Sequence, residues 1–230
     1  KNEHRTLIKN ISIFDGRSED LVKGQDVVLL DNVIEKIIPA GSNEDAYGQV
    51  IDGKGGYLSP GLIDNHLHLM MGVSQAEFFN GPFQYVTCMA VREAEDMLMR
   101  GVTTCRDVGG NVFGLRKAVN SGLLPGPRIY GSGSLIAQYS GHVDFRNPNE
   151  MPKEWGGPLS TVERSELNCG LLATGVDQVM AAARHNLYLG ADFIKIANGG
   201  GVSSFTDPLY VNEFFEEETR AAVRVAEDYG

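Results

Sequence analysis

In the run GLIDNHLHLM of residues 61–70, His66 and His68 are separated by a single residue. Alternate side chains of a β-strand share a face, so this spacing brings both imidazoles, together with Asp64, to one side. Two imidazoles one pleat apart suit two nitrogen ligands on one Zn²⁺. The other reading is a pair of histidines satisfied by hydrogen bonds. Asp64 reads as a supporting or packing carboxylate rather than a ligand. Lys195, in GADFIKIANGG of residues 190–200, is the second chemically loaded position. A strand over Asp192–Ala197 sets Phe193, Lys195 and Ala197 on one face and Ile194 and Ile196 on the other. An ammonium beside metal-bound imidazoles is repelled, and lysine is seldom buried unpaired. Addition of CO₂ to the amine removes that conflict, because the carbamate is an anion whose two oxygens can bridge two metal ions. An ordinary lysine at a strand end, reaching solvent or substrate, is the alternative. His142 and Arg146 lie in YSGHVDFR, residues 139–146. The Arg146 guanidinium can grip a substrate carboxylate as a two-pronged fork or close a salt bridge within its own loop. His142 faces substrate or serves as a structural loop residue.

Residues before about 60 read as small β structure. Arg5–Phe14 is β-rich and stops at Asp15-Gly16. Asp26–Leu30 and Val33–Ile38 flank Asp31-Asn32 as a tight hairpin. Gln49–Asp52 and Tyr57–Ser59 read as two further short strands around Gly53-Lys-Gly-Gly56. After Pro60-Gly61 apolar strands alternate with amphipathic segments, the pattern of βα units on a parallel sheet. The strands are Leu62–Leu69, Val102–Asp107, Pro127–Gly131 and Asp192–Ala197. The helices are Tyr85–Arg100, Val112–Ser121, Val176–Leu189 and Glu213–Tyr229. A polar, Gly- and Pro-rich stretch from Ser132 to Gly170 is expected to be a long functional loop.

The fold class is therefore α/β: a small β-sandwich-type domain over residues 1–59, then the first half of a (β/α)8 TIM-like barrel over 60–230. Such barrels take about 250 residues, and four strands leave unpaired edges. The expectation is an N-terminal portion whose sheet is closed by further protein or by another chain. Active residues of such barrels sit at the C-terminal ends of the strands. Both the histidine pair and the loop after the third strand belong to that face.

The segments PGLIDNHLH, GVTTCRDVGG and GADFIKIANGG, with the small β unit before them, resemble the amidohydrolase superfamily. The branch most similar contains imidazolonepropionase-like proteins and Xaa-Pro or Xaa-Lys/Arg dipeptidases. The resemblance implies that His66 and His68 hold one zinc and that carboxylated Lys195 bridges to a second. It also implies two histidines from the fifth and sixth strands and an aspartate base from the eighth, which no residue of this sequence supplies. The implied reaction is hydrolysis of amide or peptide bonds in small or dipeptide substrates by a metal-bound hydroxide. The GH-x-D-F-R segment is shared with dipeptidase-like proteins, which implies substrate contact or carbonyl polarisation for His142 and substrate binding for Arg146. Two alternatives remain. One is a mononuclear deaminase of nucleobase-like rings, which needs no bridging lysine; the other is a truncated, non-catalytic barrel fragment.

At 230 residues, 42% hydrophobic and 22% charged, the composition is that of an ordinary globular chain. The net charge of −10 argues against nucleic acid or an anionic membrane as partner. No apolar run is long enough to cross a bilayer, and the chain opens at Lys1 without a hydrophobic signal core, so an export segment is not expected. Three scattered cysteines lack a disulfide or C-x-x-C pattern, which suits a reduced, cytoplasmic setting. Assembly into a homo-oligomer stays open. Other features take plain readings. Asn198–Gly201 is a flexible loop or a close backbone approach. Arg106-Asp107 is a structural pair at a strand end, Cys105 is core, and His4 and His185 are solvated. Glu216–Glu218 complement the positive end of a helix.

Overall fold

The computed structural model describes residues 2–164, 167–204 and 206–230 and divides into two compact units, Lys1–Gly61 and Leu62–Gly230. In the first, β1 (Asn2–Ile13), β2 (Gln25–Leu30), β3 (Val33–Pro39) and β4 (Tyr47–Leu58) form one sheet in the order β3-β2-β1-β4. The β2–β3 hairpin is antiparallel, as its sequence predicts, and Asp31 takes the positive φ of 51° that its tight turn needs. β1 and β4 run parallel. The two short strands expected around Gly53-Lys-Gly-Gly56 are one continuous strand. Lys54 and Gly55 take positive φ and absorb the extra residues as a bulge against Lys9–Ile11. Leu7, Val28 and Tyr47 make a small core, whereas Val33, Ile34, Ile37 and Tyr57 are exposed. A second facing sheet, which a sandwich requires, is not present among the described residues; hydrophobic alternation marks a covered face but not what covers it.

In the second unit β5 (Leu62–Leu67), β6 (Val102–Asp107) and β7 (Arg128–Gly131) pair in parallel in that order. α1 (Gln75–Asn80) and α2 (Phe83–Met99) follow β5, and α3 (Phe113–Asn120) follows β6. α2 places Val86, Ala90, Ala94 and Met97 on its buried stripe, the spacing of one helical face, against Leu69, Cys105 and Ile129. Leu62 and Ile63, expected to be buried, are exposed because β5 is an edge strand of this sheet.

The stretch expected as one long loop contains a short parallel pair, β8 (Leu135–Ala137) and β9 (Gly170–Leu172). α4 (Val176–Tyr188) and α5 (Glu216–Asp228) pack together around Ala183, Ala222 and Val225. The fourth strand expected at Asp192–Ala197 is not a regular strand. It nevertheless tracks β7 and β8: Asp192 N–H donates to Gly131 O (2.9 Å), Ile136 N–H to Lys195 O (3.0 Å), and Ala197 N–H to Ile136 O (2.8 Å). β8 thus lies between β9 and the Lys195 segment. No helix among the described residues is long and apolar enough to cross a membrane.

Candidate metal centre

The register of β5 against β6 is broken just before the histidines. Asp64 pairs with Cys105 and Leu67 with Asp107, so β5 carries one extra residue in this interval. Asp64 Oδ1 accepts the His66 N–H at 3.0 Å and fixes the bulge, the supporting part its sequence position suggests. The His66 and His68 rings lie edge to face with centroids 5.7 Å apart. His66 is exposed and His68 half-buried.

His68 is oriented from the next strand. Its Nδ1 sits 3.0 Å from the Gly109 carbonyl oxygen, an acceptor, so Nδ1 carries the proton and Nε2 presents its lone pair. A Cβ on Gly109 would stand 3.2 Å from the ring, so a side chain there would press the imidazole aside by a few tenths of an ångström. Gly109 is held in turn by Asp107, which is fully buried and accepts from Gly109 N–H (3.1 Å) and Leu69 N–H (2.7 Å). Burial pushes the Asp107 carboxyl up to about 7, against the pull of these two donors. Asp107 is thus the strand-end residue that ties β6 to the backbone just beyond His68. Sequence reasoning gave it only a structural pairing; the Asp-x-Gly spacing was its available signal.

Burial lowers the proton affinity of His68 most. The Gly109 carbonyl opposes this, while the charges of His66, Lys195 and His142 add to it. A ring held neutral is the form that ligates a cation. Lys195 is half-buried, and burial followed by the positive charge of Arg106 lowers its own proton affinity. Arg106 lies flat over Phe193, 4.2 Å from the ring centre.

His142 is part-buried, with Nδ1 3.1 Å from Ser204 Oγ and its backbone N–H donated to Glu213 Oε1 at 2.8 Å. Arg146 turns inward. Its Nε and Nη2 grip both oxygens of Asp144 at 2.8 and 2.6 Å, Nη1 meets the Glu150 carbonyl, and the guanidinium covers Tyr139. Its fork is therefore occupied from within the loop, the alternative left open by the sequence, and a substrate carboxylate would have to displace Asp144.

Among the described residues no three His, Cys, Asp or Glu side chains converge as a metal site. The donor set instead fits one part of a centre: two adjacent imidazoles, one with its ligating nitrogen freed by a backbone carbonyl. Residues 57–230 match the amidohydrolase family. The chain belongs to this family. Ochratoxinase of Aspergillus niger is 31% identical over 192 residues, which is 74% of this chain and 36% of that protein. A crystal structure of an amidohydrolase superposes with a TM-score of 0.86 at 37% identity, covering 98% of this chain and 54% of the other. A prolidase crystallised with N-methylphosphonate-L-proline gives 0.87 at 31% identity, with the same two coverages. The chain thus spans about half the length of these structures. The resemblance to the prolidase and Xaa-Pro dipeptidase branch holds at the level of structure, and the family places the second unit's α/β architecture in the TIM-barrel superfamily.

Proposed function

We propose that this chain carries part of the metal centre and a substrate-facing loop of a metal-dependent hydrolase of amide bonds in small substrates, with Xaa-Pro or Xaa-Lys/Arg dipeptides as the substrate class. The observation that carries the proposal is the His66–His68 pair with Nδ1 of His68 locked on Gly109 O. The prolidase and ochratoxinase likenesses support an amide rather than a ring amine as the bond cleaved.

His66 and His68 would hold one zinc ion through ring nitrogens, and Lys195, as a carbamate, would link it to a second. Bound there, the two ions would lower the pKa of a water and polarise the scissile carbonyl. Asp107 and Gly109 keep the His68 ring in one tautomer, so its lone pair needs no reorientation. The lowered proton affinity of Lys195 favours the uncharged amine, which is the form that adds to CO₂, and Arg106 supplies a cation to face the resulting anion. His142 would contact the substrate near its carbonyl. Arg146 shapes that loop through Asp144.

The test is metal analysis and hydrolysis of Xaa-Pro and Xaa-Arg dipeptides by the protein that carries this chain, with ¹³C-bicarbonate to label a carbamate. Lys195→Ala should abolish the carbamate signal and weaken metal binding by about 100-fold or more. Two tightly bound metals in that variant would overturn the lysine assignment. A single metal in the unmodified protein, with ring-amine hydrolysis and no peptide cleavage, would favour the deaminase reading.

A further inference from the structure

The glycine run Asn198–Gly201 has no part in the centre just described, yet it meets His142 at close range. A Cβ on Gly201 would stand 1.9 Å from Cε1 and 2.1 Å from Nδ1 of that ring. Gly200 is equally constrained, since a Cβ there would fall 2.2 Å from the Pro208 carbonyl oxygen. The segment then folds back on itself. Asp207 Oδ2 accepts the Gly201 N–H at 2.6 Å and stands 3.4 Å from His142 Nδ1, and its side chain is fully buried. Ser204 Oγ is 3.1 Å from the same nitrogen. Glu213 closes the far end, accepting the His142 N–H through Oε1 and donating its own N–H to Asn198 O (3.3 Å). Gly141 leaves the space that Glu213 Oε2 fills.

Two acceptors therefore face one ring nitrogen. The Asp207 carboxylate cannot donate, and it is held below the usual carboxylate range. Burial, the largest single influence, pushes the other way, but the Ser204 hydroxyl, the Gly201 and Asp207 N–H groups and the charge of His142 together outweigh it. The Ser204 hydroxyl at 3.1 Å can accept a proton from the same nitrogen, whereas the carboxylate at 3.4 Å can do nothing else. A bare nitrogen lone pair at Nδ1 would confront the Asp207 carboxylate with no proton between them.

We propose that Gly201, Ser204, Asp207 and Glu213 clamp His142 as its Nδ1–H tautomer, with Asp207, Ser204 and Gly201 as positioning residues. Nε2 is then the ring position offered to substrate, as acceptor in the neutral ring or as donor in the imidazolium. The inference deepens the role given to His142 in the proposed function, and its geometry stands independently of that role.

The test is long-range ¹H–¹⁵N spectroscopy of the full-length protein labelled at histidine, at a pH where imidazoles are neutral. The His142 signals are assigned by their loss in His142→Gln. The clamp requires a protonated Nδ1 and an unprotonated Nε2 in the unmodified protein. Ser204→Ala combined with Asp207→Asn should return the ring to the Nε2–H tautomer that free histidine prefers. Should the pair fail to fold, Asp207→Asn alone, which leaves the Ser204 hydroxyl free to donate to the ring, is expected to populate both tautomers. An Nε2–H ring in the unmodified protein, or a tautomer indifferent to these changes, overturns the proposal. Gly201→Ala, which pushes the ring aside, should lower kcat/KM by about 100-fold at unchanged metal content. The required tautomer in a protein that cleaves no amide would leave the clamp intact and refute the function. Amide cleavage with the wrong tautomer would do the reverse.

Discussion

Replacing Asp107 by alanine should weaken the second unit and its metal site together. The carboxylate accepts two buried backbone N–H groups, from Leu69 and Gly109, one on each oxygen. Leu69 and Asp107 are both essentially inaccessible, so no solvent water reaches the donors left behind. Each orphaned buried donor costs about 1–3 kcal/mol, which gives about 4 kcal/mol for the two. A unit of this size loses about 2–4 °C of melting temperature per kcal/mol, so the expected drop is about 8–16 °C. Asn in place of Asp keeps one acceptor but turns an NH₂ group toward the other donor, and should cost about 1–3 kcal/mol. Freed from Asp107, Gly109 no longer fixes the His68 ring, and loss of such an outer partner typically lowers metal affinity 10- to 100-fold. Differential scanning calorimetry of the metal-free protein gives the first quantity, and competition against a chelator gives the second. A melting shift under about 2 °C for Asp107→Ala, with unchanged metal affinity, would refute the claim that this carboxylate organises the histidine pair.

Two further outcomes follow from buried titratable groups. Burial pushes the Glu213 carboxyl up to about 7 from an ordinary value near 4.5, the His142 N–H opposes this, and Asp207 reinforces it. The folded state therefore holds this proton more tightly than the unfolded chain. Its stabilising contribution is complete below about pH 4.5 and is lost as pH rises through about 7. Urea denaturation of the unmodified protein and Glu213→Gln should show a stability difference that shrinks, or reverses in favour of the variant, between pH 5 and 7.5; a difference flat with pH would contradict the assignment. Among the thiols, burial is the main influence that pushes both Cys105 and Cys169 up to about 12, whereas Cys88 is exposed. A thiol reagent should modify Cys88 in the native protein and the other two only after denaturation, and rapid native labelling of Cys105 would contradict their burial.

The sequence made the second unit's regular elements legible because their signals are local. Val102–Asp107 has the predicted bounds, and α2, α3 and α4 differ from expectation by one or two residues at their ends. What escaped was short or non-local. β8 and β9 have three residues each, too few for a periodic pattern, and their pairing joins residues far apart in the chain. The Lys195 segment has the alternation of a strand but takes its backbone partners from Gly131 and Ile136, and alternation alone does not create a regular ladder. At the candidate centre the His-x-His pair and Lys195 stand out by residue type. The bulge that seats the pair does not, because it depends on the register of β6. Arg146 shows a related limit: its partner Asp144 is two residues away, yet sequence alone left the guanidinium open both to a ligand and to its own loop.

The bond between His68 and Gly109 spans 41 positions of the chain. The histidine pair is therefore contiguous in sequence but not autonomous. Until the second parallel strand has docked beside the first, nothing fixes which ring nitrogen faces a cation, and a free ion meets only a pair of freely rotating side chains. Capture of metal should consequently trail formation of this strand pair during refolding, and a peptide spanning only the first strand should bind it feebly.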